Sequence, residues 1–166
     1  MALPITTERL VLAPYVSQDV EVIHDVLYGD PDAMRLIGGA VHLAETRVRV
    51  ERYIAHQQSA GYSLWAVRER ATGAIAGEAG LVAFGGQGPE VELGYAFGQA
   101  FWGRGYATEA GRAILDEAFG PLGLTRVVAV TKAENTGSQR VLAKLGFVAA
   151  GRRYVWDAEQ LYFVCE

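Results

Sequence analysis

The stretch FWGRGYATEA, residues 101–110, places two glycines around an arginine immediately before a helical pattern. From Ala107 to residue 119, apolar or small residues recur at the i, i+3, i+4, i+7 spacing of an amphipathic helix. The first N–H groups of a helix have no partner inside it, and glycine lets an anion approach them closely. The stretch therefore predicts either an anion-binding turn at residues 103–108 or a plain turn between a strand and a helix.

The segments beside this turn have the patterns of strands. Residues 90–97, EVELGYAF, close a run of three antiparallel strands, and residues 126–131, RVVAVT, have the apolar pattern of a central strand buried on both faces. Joined by the helix, they form a βαβ crossover. The predicted order along the chain is strand, two helices, three strands, helix, strand, helix and two strands, which makes an α+β fold with a mixed sheet.

Composition limits the class of protein. The chain has 166 residues, 51% of them hydrophobic and 20% charged, so we expect one globular domain over residues 1–166. A net charge of −4 argues against a dedicated nucleic-acid binder, and no apolar run reaches membrane-spanning length. The single cysteine fits a reducing compartment, most simply the cytoplasm. The three histidines are scattered and have no metal-ligand spacing, so no metal is expected.

Two common nucleotide-binding motifs do not occur in the chain. The P-loop pattern G-x-x-x-x-G-K-[ST] and the dinucleotide fingerprint G-x-G-x-x-G are both missing from the sequence. The strand before the glycine turn also belongs to an antiparallel run, which is not the setting of a dinucleotide fold. If the turn binds a pyrophosphate, the sequence points to another kind of ligand.

Residues 102–107 resemble the acyl-CoA motif Q/R-x-x-G-x-G/A of the GNAT acetyltransferases. Gly105 and Ala107 match the two small positions, whereas Trp102 replaces the usual Gln or Arg. The string WGRGYATEA is similar to the RimJ/RimL-like branch of that family. Further similarities to the branch lie along nearly the whole chain, in TERL at residues 7–10, ELGY at 92–95 and ENTGSQRVLAKLGF at 134–147.

The resemblance implies a mixed, mostly antiparallel sheet of about seven strands flanked by about four helices. It implies that the fourth and fifth strands splay apart and that acetyl-CoA, as co-substrate, lies in the gap. Phe97 is then the position whose backbone pairs with pantetheine. The pyrophosphate would contact the backbone of the turn, formed by Trp102, Gly103, Arg104, Gly105, Tyr106, Ala107 and Thr108. The Arg104 side chain is expected to add charge to a phosphate.

The implied activity is transfer of acetyl from acetyl-CoA to a primary amine, on a protein N-terminus or a small molecule. The amine would attack directly in a ternary complex. The amine must lose a proton, and Glu92 is the candidate base because a carboxylate between apolar neighbours on a central strand is costly unless it is paired or used. A structural ion pair with an arginine is the alternative for Glu92, and Glu78 is a second candidate base.

Three residues of the next helix have two interpretations each. Asn135 caps the helix, contacts the cofactor, or does both. Ser138 is an ordinary first-turn serine or, by the resemblance, the group near the cofactor sulfur that binds or protonates the thiolate. Many GNAT proteins place an acidic tyrosine where this chain has Leu142, so the acid is Ser138, a solvent proton, or none. Lys144 reaches a CoA phosphate or is a surface lysine at a helix C-terminus.

The acceptor pocket is predicted only by position, near the first two helices, the loop at residues 29–40 and the closing strands. Candidate walls are aromatic or apolar, namely Met34, Tyr53, Tyr62, Trp65, Tyr95 and Tyr154. Two other functions are compatible with the sequence. One is a non-catalytic acyl-CoA-binding sensor or degenerate GNAT relative, and the other is an interaction module whose sheet edge forms a homodimer.

Overall fold

The structure, a computed structural model, describes residues 3–166. Within that range it has eight strands and five α-helices. The strands are β1 (Ile5–Thr6), β2 (Leu10–Ala13), β3 (Leu64–Glu69), β4 (Ile75–Ala83), β5 (Val91–Phe97), β6 (Val127–Thr131), β7 (Val148–Val155) and β8 (Ala158–Cys165). The helices are α1 (Asp19–Ile23), α2 (Pro31–Met34), α3 (Leu43–Ala60), α4 (Tyr106–Phe119) and α5 (Thr136–Lys144). A π-helical turn, His24–Tyr28, continues α1.

All eight strands join one sheet in the order β1-β2-β3-β4-β5-β6-β8-β7, and every neighbouring pair is antiparallel except β5 and β6. The strands β4 and β5 pair along seven positions, from Gly77↔Phe97 to Ala83↔Val91. The parallel strands β5 and β6 are in register at one position only, Glu92↔Val128. Because β5 continues for five residues beyond Glu92 to Phe97, the two strands separate and leave a V-shaped gap.

Helices cover both faces of the sheet. One apolar cluster combines strand residues with α4 and α5, and the other places α1, the π-helical turn, α2 and α3 over Ala66 and Ile75. The helix α4 is amphipathic, because its buried residues recur at helical spacing from Tyr106 to Ala118. Gly111 lets α4 approach α5 closely, since a Cβ there would lie 2.5 Å from Cδ1 of Leu145.

The predicted α+β fold is confirmed, including the mixed sheet and its splay. The splay lies between the fourth and fifth predicted strands, which are β5 and β6 once the short β1 is counted. Two elements were missed. The strand β1 has only two residues, and α2 has one turn. The sequence GDPD predicts a break between helices, yet Asp30 caps α2 by accepting from the backbone N–H of Asp32 at 2.9 Å.

Candidate functional site

A cavity of about 530 Å³ opens at the gap between β5 and β6. Its walls come from α2 and the chain that follows it, the end of β5, the glycine turn, and α5 from its N-cap to its last residue. The lining residues are Asp32, Ala33, Arg35, Leu36, Ile37, Tyr95, Ala96, Phe97, Phe101, Trp102, Gly103, Gly105, Tyr106, Ala107, Thr108, Asn135, Gly137, Ser138, Arg140, Val141 and Lys144. The structure therefore brings together every predicted cofactor-binding residue except Arg104.

The glycine turn presents backbone N–H groups without protein acceptors. Gly103 and Gly105 both have left-handed backbone conformations, with φ of 72° and 79°. Gly105 is the N-cap of α4, and no side chain caps that helix. Among residues 3–166, we find no acceptor for the backbone N–H groups of residues 103–108. Six free donors beside a helix N-terminus form a site suited to an anion such as a pyrophosphate.

Two carboxylates hold the turn in place from outside the cavity. Glu69 accepts hydrogen bonds from the Tyr106 hydroxyl at 2.6 Å and from Arg104 at 2.8 Å. The bond from Tyr106 is the largest cause that lowers the pKa of Glu69 from its ordinary value. Glu109 accepts from the backbone N–H and the guanidinium of Arg9, and that guanidinium also donates to the Arg104 carbonyl. The turn is thus attached to β3 and to the residue that precedes β2.

Arg104 differs from the prediction in one respect. Its guanidinium forms an ion pair with Glu69 and lies over the Phe101 ring, 5.4 Å from the centroid. The side chain is therefore engaged away from the cavity, and only the backbone N–H of Arg104 belongs to the free donors of the turn. Trp102 lines the cavity and donates its indole N–H to the Phe97 carbonyl at 2.7 Å. A carbonyl oxygen has two lone pairs, so Phe97 can accept a second hydrogen bond.

The start of α5 forms the opposite wall. Oδ1 of Asn135 accepts from the backbone N–H of Ser138 at 3.1 Å, so the helix-cap interpretation of Asn135 is confirmed. Asn135, Ser138 and Lys144 line the cavity, while contact with a cofactor stays a prediction. Arg140 also lines it and was missed, although it shares a helix face with Lys144 through its i, i+4 spacing.

Tyr95 is the second site residue whose role the sequence did not reveal. It was predicted only as a wall, yet its hydroxyl lies 2.9 Å from Oγ of Ser138 and 3.2 Å from the Ser138 carbonyl oxygen. Burial raises the pKa of Tyr95 to about 12, and the hydrogen bond with Ser138 opposes this shift. Leu142, where many relatives place a tyrosine, is buried in the apolar core.

Glu92 lies where β5 and β6 are still in register, at the closed end of the gap. Its side chain is buried, and Oε2 accepts one hydrogen bond, from the indole N–H of Trp156 at 3.1 Å. Burial raises the pKa of Glu92 to about 7, and the bond from Trp156 opposes the rise. No arginine pairs with Glu92 among the described residues, so the ion-pair alternative is wrong. Glu92 does not itself line the cavity wall.

Glu78, the second candidate base, lies between two phenols. Its carboxylate oxygens accept from Tyr15 at 2.7 Å and Tyr28 at 2.6 Å, and Tyr28 lies 3.2 Å from the Tyr53 hydroxyl. Burial raises the pKa of Glu78, whereas both phenol bonds lower it. Because Tyr28 belongs to the π-helical turn that continues α1, these hydrogen bonds link that turn to β4. The geometry favours a structural role for Glu78.

The residues predicted to form the acceptor pocket do not all lie in one place in the structure. Tyr95 lines the cavity, whereas Met34 and Trp65 are core residues and Tyr154 is 78% exposed. The loop at residues 29–40 contributes to the cavity through α2 and the residues that follow it, while its place in the acceptor pocket stays a prediction. Within residues 3–166, no group of three or more His, Cys, Asp and Glu side chains is placed to hold a metal ion. In the same range, no helix is both long and apolar enough to cross a membrane.

A family model described as Acetyltransferase (GNAT) domain matches residues 9–148. The chain belongs to the GNAT acetyltransferase family. Among curated proteins it is 32% identical over 143 residues to YkkB, an uncharacterized protein of Bacillus subtilis strain 168, covering 86% of this chain and 83% of that one. It is 27% identical over 155 residues to YoaA, an uncharacterized N-acetyltransferase of the same strain, covering 91% and 87%.

Solved GNAT structures have the same fold. An acetyltransferase from Agrobacterium tumefaciens strain C58 superposes with a TM-score of 0.86 at 27% identity, over 100% of this chain and 96% of that one. RimL, a ribosomal L7/L12 alpha-N-protein acetyltransferase in complex with coenzyme A, superposes with a TM-score of 0.82 at 17% identity, over 98% and 96%. The predicted resemblance to the RimJ/RimL-like branch is thus matched at the level of the fold.

Proposed function

We propose that this GNAT protein is an N-acetyltransferase that uses acetyl-CoA and transfers the acetyl group to a primary amine by direct attack in a ternary complex. The observation that carries the proposal is the set of free N–H groups at residues 103–108, because every residue of this turn except Arg104 lines the cavity beside the end of β5. A pyrophosphate suits this set, because free N–H donors and the partial positive charge of a helix N-terminus both favour an anion. The complex of RimL with coenzyme A supports the same choice of ligand.

The separated strands suit the rest of the coenzyme. Beyond Glu92, β5 has no register partner in β6, so a pantetheine chain can lie beside it as an added strand near Phe97. Arg140 and Lys144, one turn apart on α5, line the cavity and are the cations available to its phosphates. Asn135 stands at the start of the same helix and fixes the position of Ser138.

Glu92 is the proposed base. An aliphatic ammonium has a pKa near 10, so a group must remove its proton before the nitrogen can attack. A carboxylate with a pKa of about 7 is matched to this task near neutral pH. Alternation along β5 places Glu92 on the side of Ala96 rather than that of Tyr95, and Ala96 packs against the cluster of the first helices. The amine would therefore approach from the face opposite α4, directly or with a water between it and Glu92.

The proposal is tested by release of free CoA from acetyl-CoA with a panel of small amines and N-terminal peptides. At least one acceptor is expected to give turnover and an acceptor product heavier by one acetyl group. A protein that acetyl-CoA stabilises against heat, but that releases no CoA with any acceptor, would instead be the acyl-CoA sensor. A protein that shows neither effect at millimolar acetyl-CoA would contradict both functions.

A further inference from the structure

Tyr95 and Ser138 connect the two walls of the cavity. Tyr95 lies on β5, and Ser138 lies in the first turn of α5, which follows β6. The phenol oxygen is 2.9 Å from the serine hydroxyl oxygen, and both residues line the cavity. The contact therefore crosses the gap at the place where β5 and β6 have already separated.

The bonding capacity of these groups limits what the contact can do. The backbone N–H of Ser138 is bound to Asn135, which fixes the start of α5, whereas the Ser138 hydroxyl can still rotate to suit its partners. Burial keeps the Tyr95 phenol protonated at neutral pH, because its pKa is raised to about 12. A protonated phenol has one hydrogen to donate, and it has two acceptors within reach, the Ser138 carbonyl oxygen at 3.2 Å and Oγ at 2.9 Å. The shorter distance favours Oγ, and a hydroxyl that accepts this hydrogen keeps its own for another partner.

We propose that Tyr95 is a positioning residue that donates its hydrogen bond to Oγ of Ser138 and so directs the Ser138 hydrogen into the cavity, toward the sulfur of the bound thioester. This inference rests on the proposed acetyl-transfer function and assigns a role to a side chain on the opposite wall. Tyr95 itself does not touch the sulfur and acts through Ser138.

The chemical step balances without any further reactant. The amine nitrogen forms a bond to the acetyl carbon, and the C–S bond breaks with its electron pair going to sulfur. Ser138 donates a hydrogen bond to that developing thiolate, and its own O–H bond stays intact. The proton lost by the amine goes to Glu92 or through water, and the departing thiolate takes a proton from solvent. Tyr95 and Ser138 end the step in the state in which they began it.

The alternative role for the contact is purely mechanical, as a strut that sets the width of the gap. A strut would influence how tightly the coenzyme binds, whereas a positioning role would influence how well the sulfur anion is stabilised. The two roles separate in a measurement of the thiol of bound free CoA, which needs no acceptor amine. The readout is the ultraviolet absorbance of the thiolate as pH is varied, with the affinity for CoA measured beside it.

Wild type, Tyr95→Phe, Ser138→Ala and the double variant form the set, and Tyr154→Phe is the control at an exposed tyrosine. In wild type we expect the pKa of the bound thiol to lie below that of free CoA. Each single variant is expected to raise it, by about one unit for Ser138→Ala, which is the worth of one hydrogen bond to an anion. The double variant is expected to match Ser138→Ala, because Tyr95 acts only through the serine. With a turned-over acceptor, kcat is expected to fall about tenfold in Tyr95→Phe, with little change in KM for acetyl-CoA.

Two results would overturn the inference while acetyl transfer still stands. One is an unchanged thiol pKa in Tyr95→Phe, and the other is an effect of Tyr95→Phe that persists in full when Ser138 is already alanine. A shift in CoA affinity alone would support the strut instead. If wild type does not bind CoA, the proposed function fails, and this inference fails with it. The Phe variant keeps the ring and its packing, and its thermal unfolding curve checks that the fold is intact.

Discussion

The indole N–H of Trp156 donates to Oε2 of Glu92 across 3.1 Å, and it is the only hydrogen bond to that carboxylate within residues 3–166. Trp156 occupies the turn between β7 and β8, with φ of 54°, so the closing hairpin reaches back to β5. A buried carboxylate with one donor keeps a raised pKa, since burial disfavours its charge more than one bond can restore. Burial, opposed by this one bond, thus brings the pKa of Glu92 to about 7.

The first prediction concerns the pH dependence of activity. If Glu92 is the base, kcat/KM should fall about tenfold for each pH unit below a pH of about 7, because only the carboxylate accepts the proton. This fall of kcat/KM at low pH is the acid limb of the pH profile. Glu92→Gln should lower kcat by about 10²- to 10⁴-fold and remove the acid limb. CoA release followed from pH 5 to 9 makes the measurement. Glu78→Gln is the matched control at a second buried glutamate, and it should keep the limb; loss of the limb in the Glu78 variant instead would transfer the role of base to Glu78.

Trp156→Phe should move the acid limb to higher pH. The indole bond stabilises the charged form of Glu92, so its removal raises the pKa of Glu92 further above about 7. The plateau rate at high pH should change much less, since the carboxylate is then ionised in both proteins. The same pH series of kcat/KM measures the shift. A limb that stays in place, or that moves to lower pH, would show that Trp156 does not control Glu92.

The raised pKa of Glu92 also has a consequence for stability. Its folded pKa of about 7 lies above the ordinary value of 4.5, so between these values the folded state binds more protons than the unfolded state. The contribution of Glu92 is therefore most favourable below pH 4.5 and is lost as pH rises through 7. The full difference is on the order of 3 kcal/mol.

Glu92→Gln should accordingly unfold at a higher temperature than wild type at pH 8. The advantage should shrink toward pH 5, where wild-type Glu92 is protonated. Thermal unfolding at both pH values tests this. A Gln variant that is equally stable or less stable at pH 8 would show that the ionised carboxylate of Glu92 does not destabilise the folded state.

Two glycine variants should separate an effect on ligand binding from an effect of backbone strain on stability. Gly105→Ala forces an L side chain into a left-handed conformation, φ 79°, at the N-cap of α4. Gly123→Ala imposes the same strain beyond the other end of α4, where φ is 65° and a Cβ meets nothing within 4 Å. Each should lose about 1–2 kcal/mol of stability. Only Gly105→Ala should also raise KM for acetyl-CoA, by about tenfold or more; equal KM values in the two variants would argue against a pyrophosphate at this turn.

Much of the fold was readable from local patterns. The α4 periodicity, the Asn135 cap and the apolar β6 run each follow from short-range rules, and each is present in the structure. The one-turn α2 was not recognised, because Asp30 and Pro31 can signal either a break or a new helix start.

The parts of the site that depend on backbone conformation were predicted from the sequence. The parts that depend on contacts between side chains distant in sequence were predicted less well. The glycine turn follows from sequence alone, because its two left-handed residues need glycine. The pairings Trp156–Glu92, Arg104–Glu69 and Tyr95–Ser138 join residues 64, 35 and 43 positions apart. No local rule specifies such pairs, since they depend on how the strands and helices are arranged in space.

Titration of the wild-type protein with acetyl-CoA by isothermal calorimetry tests the central claim most directly. We expect saturable binding with one ligand per chain, and the affinity should weaken in Gly105→Ala but not in Gly123→Ala. An absence of binding at millimolar acetyl-CoA, or equal affinity in the two glycine variants, would contradict the claim that the turn at residues 103–108 and the gap between β5 and β6 form the acyl-CoA site.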